Sequence, residues 1–384
     1  MKFEWKEVEL SEIADLTVGF VGTMTRHYTD EGVLFLRSTN IEPFNIKMDD
    51  IKYISPEFNE QIKKSELKTD DVVIVRTGKP GACTVIPPKD EPWNCSDLVV
   101  IHPNKEKVNP YYLAAYINLA SGVINANLVG AVQQHFNVGS AKKMKIQLPS
   151  LQIQNRIASI IQGLNKKIAL NNKINENLEQ QAQALYREMF LENQNITTVT
   201  KTLNSIAVIT MGQSPSGKSY NEDGIGEVFY QGRAEFGTRF PTRRLFTTEP
   251  KRMAEAGDVL LSVRAPVGDL NVAYEKCCIG RGLAAVHSKI GNNSFILYTM
   301  MASKPRFDVF NGEGTVFGSI NRESLNTMPI EVPPMEMIVK FEDMAHPIDE
   351  MIRIRYEENC RLETLRDTLL PKLMNGEIDI EDVI

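Results

Sequence analysis

The sequence is poor in the features that would staple a chain together or carry it through a membrane. Its 384 residues hold five cysteines (Cys83, Cys95, Cys277, Cys278 and Cys360), an odd number with no CxxC pair. A disulfide framework is therefore excluded, and reduced thiols in a cytoplasmic setting fit better. The five histidines (His27, His102, His135, His287 and His346) show no ligand spacing, so no metal site is expected. No Ser–His–Asp set and no carboxylate pair stands out, and the sequence offers no convincing catalytic centre. The opening MKFEWKEVEL lacks an apolar core, so no signal peptide is expected. Charge is missing altogether from Val108 to Ala141, yet Asn118, Asn125, Asn127, Gln133, Gln134 and several glycines interrupt that stretch. No run of ~20 clean apolar residues remains to span a membrane. A buried helix followed by a loop is expected there.

What is present is a globular balance: 42% apolar and 24% charged residues, in a chain long enough for two or three domains. Disorder, collagen-like and coiled-coil-only readings are excluded. The net charge of -6 at first argues against a nucleic-acid partner. Counted by segment it is -2 over 1–150, +1 over 151–196, +2 over 197–333 and -7 over 334–384. The acidity sits at the C-terminal end, and whole-chain charge decides nothing about the partner.

The second half of the chain echoes the first. At a spacing of 184, Gly130-Ala131-Val132 matches Gly314-Thr315-Val316, Asn137 matches Asn321, and Met144 to Pro149 matches Met328 to Pro333. Upstream, LVVIH from Leu98 resembles LAAVH from Leu283, Asp71 with Gly81 resembles Asp258 with Gly268, and Leu10–Gly19 resembles Leu203–Gly212. Within each half, Val72–Val75 and Val259–Val263 read as strands. Tyr111–Leu119 and Phe295–Met301 read as helices entered from an Asn.

After Pro149 the periodicity changes. Ile157, Ile161, Leu164, Ile168, Asn171 and Asn175 begin a four-three alternation that runs to Met189, and Phe341, Ala345, Ile348 and Ile352 begin another that runs to Leu373. These are heptad seams on two helices of about 50 Å each. Their matched register favours pairing with each other. Asn175 and Asn359 interrupt both seams at the same place, either to fix register or simply because they face solvent.

Two motifs tempt. Gly212 to Ser219, GQSPSGKS, satisfies the phosphate-loop pattern GxxxxGK[ST]. The YNEDGIGE that follows has no helical periodicity to supply an N-terminus for an anion. Asn109-Pro110-Tyr111-Tyr112 approaches the NPPY with which amino-methyltransferases grip a flipped base, but it lacks the second proline, and a helix N-cap explains Asn109 more simply. Cys277-Cys278 reads as packing rather than a nucleophile, and His102 and His287, ending matched strands, read as structural.

Binding chemistry is left. In the first half, a strand end presents Arg37, Ser38, Thr39 and Asn40 together, and Arg76 and Lys79 follow a matched strand. The second half carries Gln231 and Arg233, followed by Arg239, Arg243 and Arg244, while Arg264 follows one matched strand and Arg281 precedes another. Arg reads guanine, and Asn or Gln reads adenine, in the major groove, while Ser and Thr serve bases or phosphates. All of these are candidate DNA contacts.

The duplicated layout resembles the specificity subunit of type I restriction–modification systems. LPSLQIQNRIASIIQGL through NLEQQAQALYREMF resembles that family's central helical region, and RLETLRDTLLPKLMNGEIDI its distal one. GQSPSGKSYNEDG, VFYQGRAEFG, GDVLLSVRAPVGDLNVA and CIGRGLAAV resemble one type of its target recognition domain, which also accounts for the GKS run. The resemblance implies an α+β fold with two mixed α/β target recognition domains, 1–150 and 197–333. They would be separated by helical spacer regions, 151–196 and 334–384, forming an antiparallel coiled coil with a pseudo-twofold repeat. It further implies a chain without catalysis or cofactor of its own. Its partners would be double-stranded DNA, two methyltransferase subunits using S-adenosylmethionine, and motor/nuclease subunits using ATP and Mg. The alternatives left open are a P-loop nucleotide-binding protein and a coiled-coil protein-interaction scaffold.

Overall fold

In the computed structural model, residues 5–78, 80–127, 137–311 and 318–378 are described, without the side chains of 121–127. The matched triplets at Gly130 and Gly314 lie outside these residues. The chain forms two units, one of residues 1–171 with 357–384 and the other of residues 172–356.

Each unit is built on the same sheet plan. The first has an antiparallel ribbon, Lys6–Glu9 with Lys145–Leu148. Its four-stranded antiparallel sheet runs in the order Cys83–Val85, Val72–Val75, Leu98–Pro103, Ala14–Val18. A five-stranded sheet contains a single parallel pairing, Val33–Leu36 beside Trp93–Cys95. The second unit repeats all three: a ribbon of Val199–Thr202 with Pro329–Val332, the sheet order Leu270–Val272, Val259–Ser262, Leu283–Ser288, Ala207–Met211, and a five-stranded sheet whose parallel pair is Glu227–Tyr230 with Cys277–Ile279.

The alternation of a strand explains why the four-stranded sheets read as unbroken apolar runs. Val72 and Ile74 point into a core shared with helices, while Val73 and Val75 point into a second core with Leu36, Leu67 and Cys95. Val259 and Leu261 against Leu260 divide in the same way. A sheet covered on both faces has no polar side to show. Burial also pushes the thiols of Cys83, Cys95 and Cys277 up, so they pack as small hydrophobes.

Two long helices, Leu151–Tyr186 and Met335–Met374, cover the helical side of these cores. The first unit takes Ile157 and Ile161 from one and Leu370 and Leu373 from the other. The second takes Ala182 and Tyr186, with Ile338, Phe341 and Ala345. Every seam position from 157 to 189 and from 341 to 373 is buried or half-buried. The seam asparagines do not face solvent. In the first unit Asn171 Nδ2 donates to Asn359 Oδ1 (2.9 Å) and Glu358 Oε2 (2.8 Å), and Arg366 Nη1 donates to Asn165 Oδ1 at 3.1 Å. Partner numbers fall on one helix as they rise on the other. In the second unit Asn175 Nδ2 donates to the Ile352 carbonyl at 3.3 Å.

The uncharged stretch after Val108 forms the helix Pro110–Asn127, and the expected loop after it lies largely outside the described residues. Asn109 Oδ1 caps the helix by accepting from the Tyr111 and Tyr112 amides, at 2.8 and 3.1 Å, so it serves as an N-cap. The counterpart, Asn293–Ala302, is not capped from its own sequence. Asn293 Oδ1 accepts from the Ser288 amide, and Glu342 of the second long helix accepts the Ser294 and Phe295 amides at 3.2 and 2.9 Å. A carboxylate there meets both orphan donors and the positive helix end.

Candidate nucleic-acid interface

The candidate reading tracts occupy the same place in each unit, at the carboxyl end of the parallel strand pair of the five-stranded sheet. In the first unit the Leu36 carbonyl accepts the Ser96 amide at 3.0 Å, and the chain then closes a single 3-10 turn, Ser38–Asn40. In the second, the Tyr230 carbonyl accepts the Gly280 amide at 2.8 Å before the turn Arg233–Glu235. Only parallel neighbours send two carboxyl ends to one edge, leaving loops there free to vary around a fixed frame.

The turn geometry corrects the expectation for Asn40. It is 1% exposed, its Oδ1 accepts the Arg37 amide at 3.0 Å, and its Nδ2 donates to the Lys47 and Asp49 carbonyls. Both ends of the amide are occupied in holding the loop, so Asn40 presents no edge to a base. Its counterpart in the second turn is Glu235, 4% exposed, whose carboxylate accepts the Gly232 amide at 3.1 Å and Arg244 Nη2 at 3.0 Å. Sequence reasoning missed Glu235. Its position at the end of a three-residue turn, where Asn40 also stands, becomes visible only once the two turns are superposed by topology.

The other residues of the first tract differ in availability. Thr39 is exposed, and Ser38 Oγ donates to the Asp97 carbonyl at 3.1 Å. Arg37 Nη2 pairs with Asp50 Oδ2 at 3.0 Å, while Lys52 pairs with Oδ1 at 2.6 Å. Hydrogen bonds from Lys52 and then Arg37 hold Asp50 below its ordinary carboxyl range. Arg76 is half-buried at the end of its strand, with Nε and Nη1 shielded from solvent and without hydrogen-bond partners among the described residues. Lys79 lies outside the described residues.

In the second tract Gln231 is exposed, and Arg233 is paired through Nε with Asp269, which also takes Lys304 Nζ at 3.1 Å. Arg243 pairs with Glu275 and lies over the Tyr274 ring, 5.5 Å from its centroid. Arg264 and Arg281 are exposed, with no side-chain ion pair or hydrogen bond among the described residues. Arg239 is the second correction. It is 7% exposed, and its guanidinium is enclosed by Glu179, Asp349 and Tyr298 rather than turned to solvent. Burial holds Glu179 above the ordinary carboxylate range.

The GQSPSGKS segment makes no phosphate cradle. The amides of Gly212 and Gln213 donate to the Leu283 and Ile279 carbonyls, both at 2.9 Å, and Ser214 Oγ accepts the Arg281 amide. A Cβ at Gly212 would overlap the Gly280 carbonyl, so its glycine permits close backbone approach. Gly19 meets Cys95 in the same way, with its amide donated to the Leu98 carbonyl at 2.8 Å. Gly217–Ser219 is a 3-10 turn leading into the strand Tyr220–Asn221, with no helix behind it to hold an anion. Lys218→Ala is expected to leave nucleotide binding unmeasurable in both forms by calorimetry; nucleotide binding lost with the lysine would contradict this.

His102 and His287 are structural, as matched partners of matched acids. Nδ1 of each lies 2.6 Å from a carboxylate oxygen, of Asp71 and Asp258 respectively. Among the described residues no cluster of three or more His, Cys, Asp or Glu could hold a metal ion, and no helix is long and apolar enough to cross a membrane.

Comparison with known proteins agrees with the duplicated architecture. The family model described as "Type I restriction modification DNA specificity domain" matches residues 3–180 and again 195–361. The chain therefore belongs to the type I restriction–modification DNA specificity family. It is 28% identical to the putative type I restriction enzyme MjaX specificity subunit of Methanocaldococcus jannaschii, over 98% of this chain and 94% of that one. It is also 22% identical to the type I restriction enzyme HindI specificity subunit of Haemophilus influenzae, over 98% and 100%. The crystal structure of the type I restriction–modification system S subunit from M. genitalium shares the fold, with a TM-score of 0.55 and 15% identity over 97% of this chain and 96% of that one. The P-loop and scaffold readings find no support in these comparisons.

Proposed function

We propose that this chain is the DNA sequence-specificity subunit of a type I restriction–modification complex, each recognition domain reading one half of a bipartite target. The observation that carries this reading is the repeated 3-10 turn at the carboxyl end of the parallel strand pair, set in two copies of one sheet plan. Two copies of a reading edge match two half-sites. The long helices form an antiparallel coiled coil that spaces the domains and docks two methyltransferase subunits. The partners supply the chemistry: S-adenosylmethionine in the methyltransferases, which flip the target adenines, and ATP with Mg in motor/nuclease subunits. The chain itself binds no cofactor and acts in the cytoplasm.

Within this reading Thr39, Arg37, Ser38, Gln231, Arg233, Arg243 and Arg244 face the bases or the adjacent backbone, and Arg76, Arg264 and Arg281 meet phosphates. Arg264→Ala and Arg281→Ala are each expected to weaken duplex binding by the assembled methyltransferase uniformly across sequences, and to lower the salt slope by about 1. A change of preferred base would make them readers instead.

The reading is tested by a methylation map. The chain is co-expressed with its cognate methyltransferase in a methylation-free host, the methyltransferase alone being the control, and modified adenines are sequenced. A split, asymmetric motif appearing only with this chain is the expected result. A soluble complex with no new motif overturns the reading.

A further inference from the structure

The second unit holds a buried ionic cluster joining its recognition domain to both long helices. The Arg239 main chain belongs to the domain: its carbonyl accepts the amide of Val272, in the strand Leu270–Val272, at 2.9 Å. Its side chain belongs to the helices. The guanidinium pairs with Asp349 on the second helix and lies 3.5 Å from Glu179 Oε2 on the first. Tyr298 completes the enclosure, its hydroxyl donating to Asp349 Oδ1 at 2.7 Å and its ring 5.7 Å below the Arg239 Cζ.

We propose that Arg239 is a positioning residue that fixes the second recognition domain on the two long helices and so confines the target to a single spacing between its half-sites. The inference rests on the specificity reading above. A cavity of about 270 Å3 opens beside the cluster, lined by Gly257, Ala273 and Asn293 of the domain and by His346 and Glu350 of the helix. The join is therefore not close-packed at this point, and the ion cluster crosses it. Apolar contacts alone tolerate sliding, whereas a planar guanidinium shared by two carboxylates on two helices defines an angle. One base pair of spacing is only ~3.4 Å along the duplex, so a small tilt of the domain reaches the neighbouring register. The first unit uses a different link: Arg366 of the second long helix lies over the Phe44 ring, 5.1 Å from its centroid, and is part-buried rather than enclosed.

The test is the methylation map of the whole complex carrying Arg239→Met or Glu179→Gln. The second variant removes only the leg to the first helix, and burial already disfavours the charge on Glu179. Arg239→Met is expected to keep both half-sites but raise the share of modified sites whose gap differs by one base pair about tenfold, the equivalent of ~1.4 kcal/mol. Glu179→Gln is expected to broaden the gap in the same sense to a smaller extent, with the melting temperature of the complex unchanged. Arg239→Lys, which keeps the charge without the fork, restores part of the strictness. A soluble variant that keeps one gap, or a changed half-site, overturns the proposal. If Arg239→Met gives no soluble complex, Glu179→Gln decides alone. A wild-type map without a split motif removes the specificity reading itself; a split motif unchanged in both variants removes only this inference.

Discussion

Exchange of residues 197–333 for another recognition domain of the family is expected to rewrite one half of the methylated target and leave the other half as it was. The physical ground is that each unit closes its own cores. Leu260, Ile279 and Tyr230 form the second unit's inter-sheet core, and Leu36, Leu67 and Val73 form the first unit's. The candidate reading turns are held by bonds internal to each domain, through Asn40 in one and Glu235 in the other. A graft must keep the side chains that meet the retained helices. Phe295 packs against Phe341 and Tyr186, and Arg239 meets Glu179 and Asp349. With those retained, sequencing modified adenines in the host genome reads the result. Simultaneous change in both half-sites would count against modular recognition.

Matched insertion of seven residues into both long helices is expected to lengthen the gap between half-sites without altering either of them. Seven residues add about 10 Å of helix, comparable with about three base pairs at ~3.4 Å each. A whole heptad returns the seam to nearly its former face, so buried positions such as Ile161, Asn171 and Ile352 keep their surroundings. Insertion in one helix alone displaces the Asn171–Asn359 bond and the seam beyond it, and is expected to abolish methylation through loss of the assembled complex. Altered half-sites with an unchanged gap would remove the spacing role from the helices.

Several features of the fold were legible in the residues. The four-three repeat marks the faces of Leu151–Tyr186 and Met335–Met374 that are buried or half-buried. The pairs Asn137/Asn321 and Gly81/Gly268 recur as the same local devices: each Asn accepts a Ser amide at 2.9 Å as an N-cap, and each Gly has a positive φ, 94° and 95°. Such signals survive in sequence because they are local, and a cap or a left-handed turn needs a particular residue type at a particular spacing.

The candidate site was less legible, because its residues are sorted by partners distant in sequence. Arg239 and Arg243 are chemically alike and four positions apart, yet one is enclosed by acids 60 and 110 residues away while the other is exposed and pairs with Glu275. Asn40 resembles an adenine reader until the Lys47 and Asp49 carbonyls are found against it. The GQSPSGKS segment matches a phosphate loop letter for letter; the residues after it already lack a helix, and the bonds of its Gly212 and Gln213 amides to the Leu283 and Ile279 carbonyls show a turn packed on a strand end. By itself the sequence determined the duplication and the helical seams, since those depend on periodicity and repetition along the chain, while the class of protein was legible only through the resemblance of its segments to a known family. Tertiary structure alone decided which polar side chains are available to a ligand, because burial and pairing are set by strands and helices that meet only after folding.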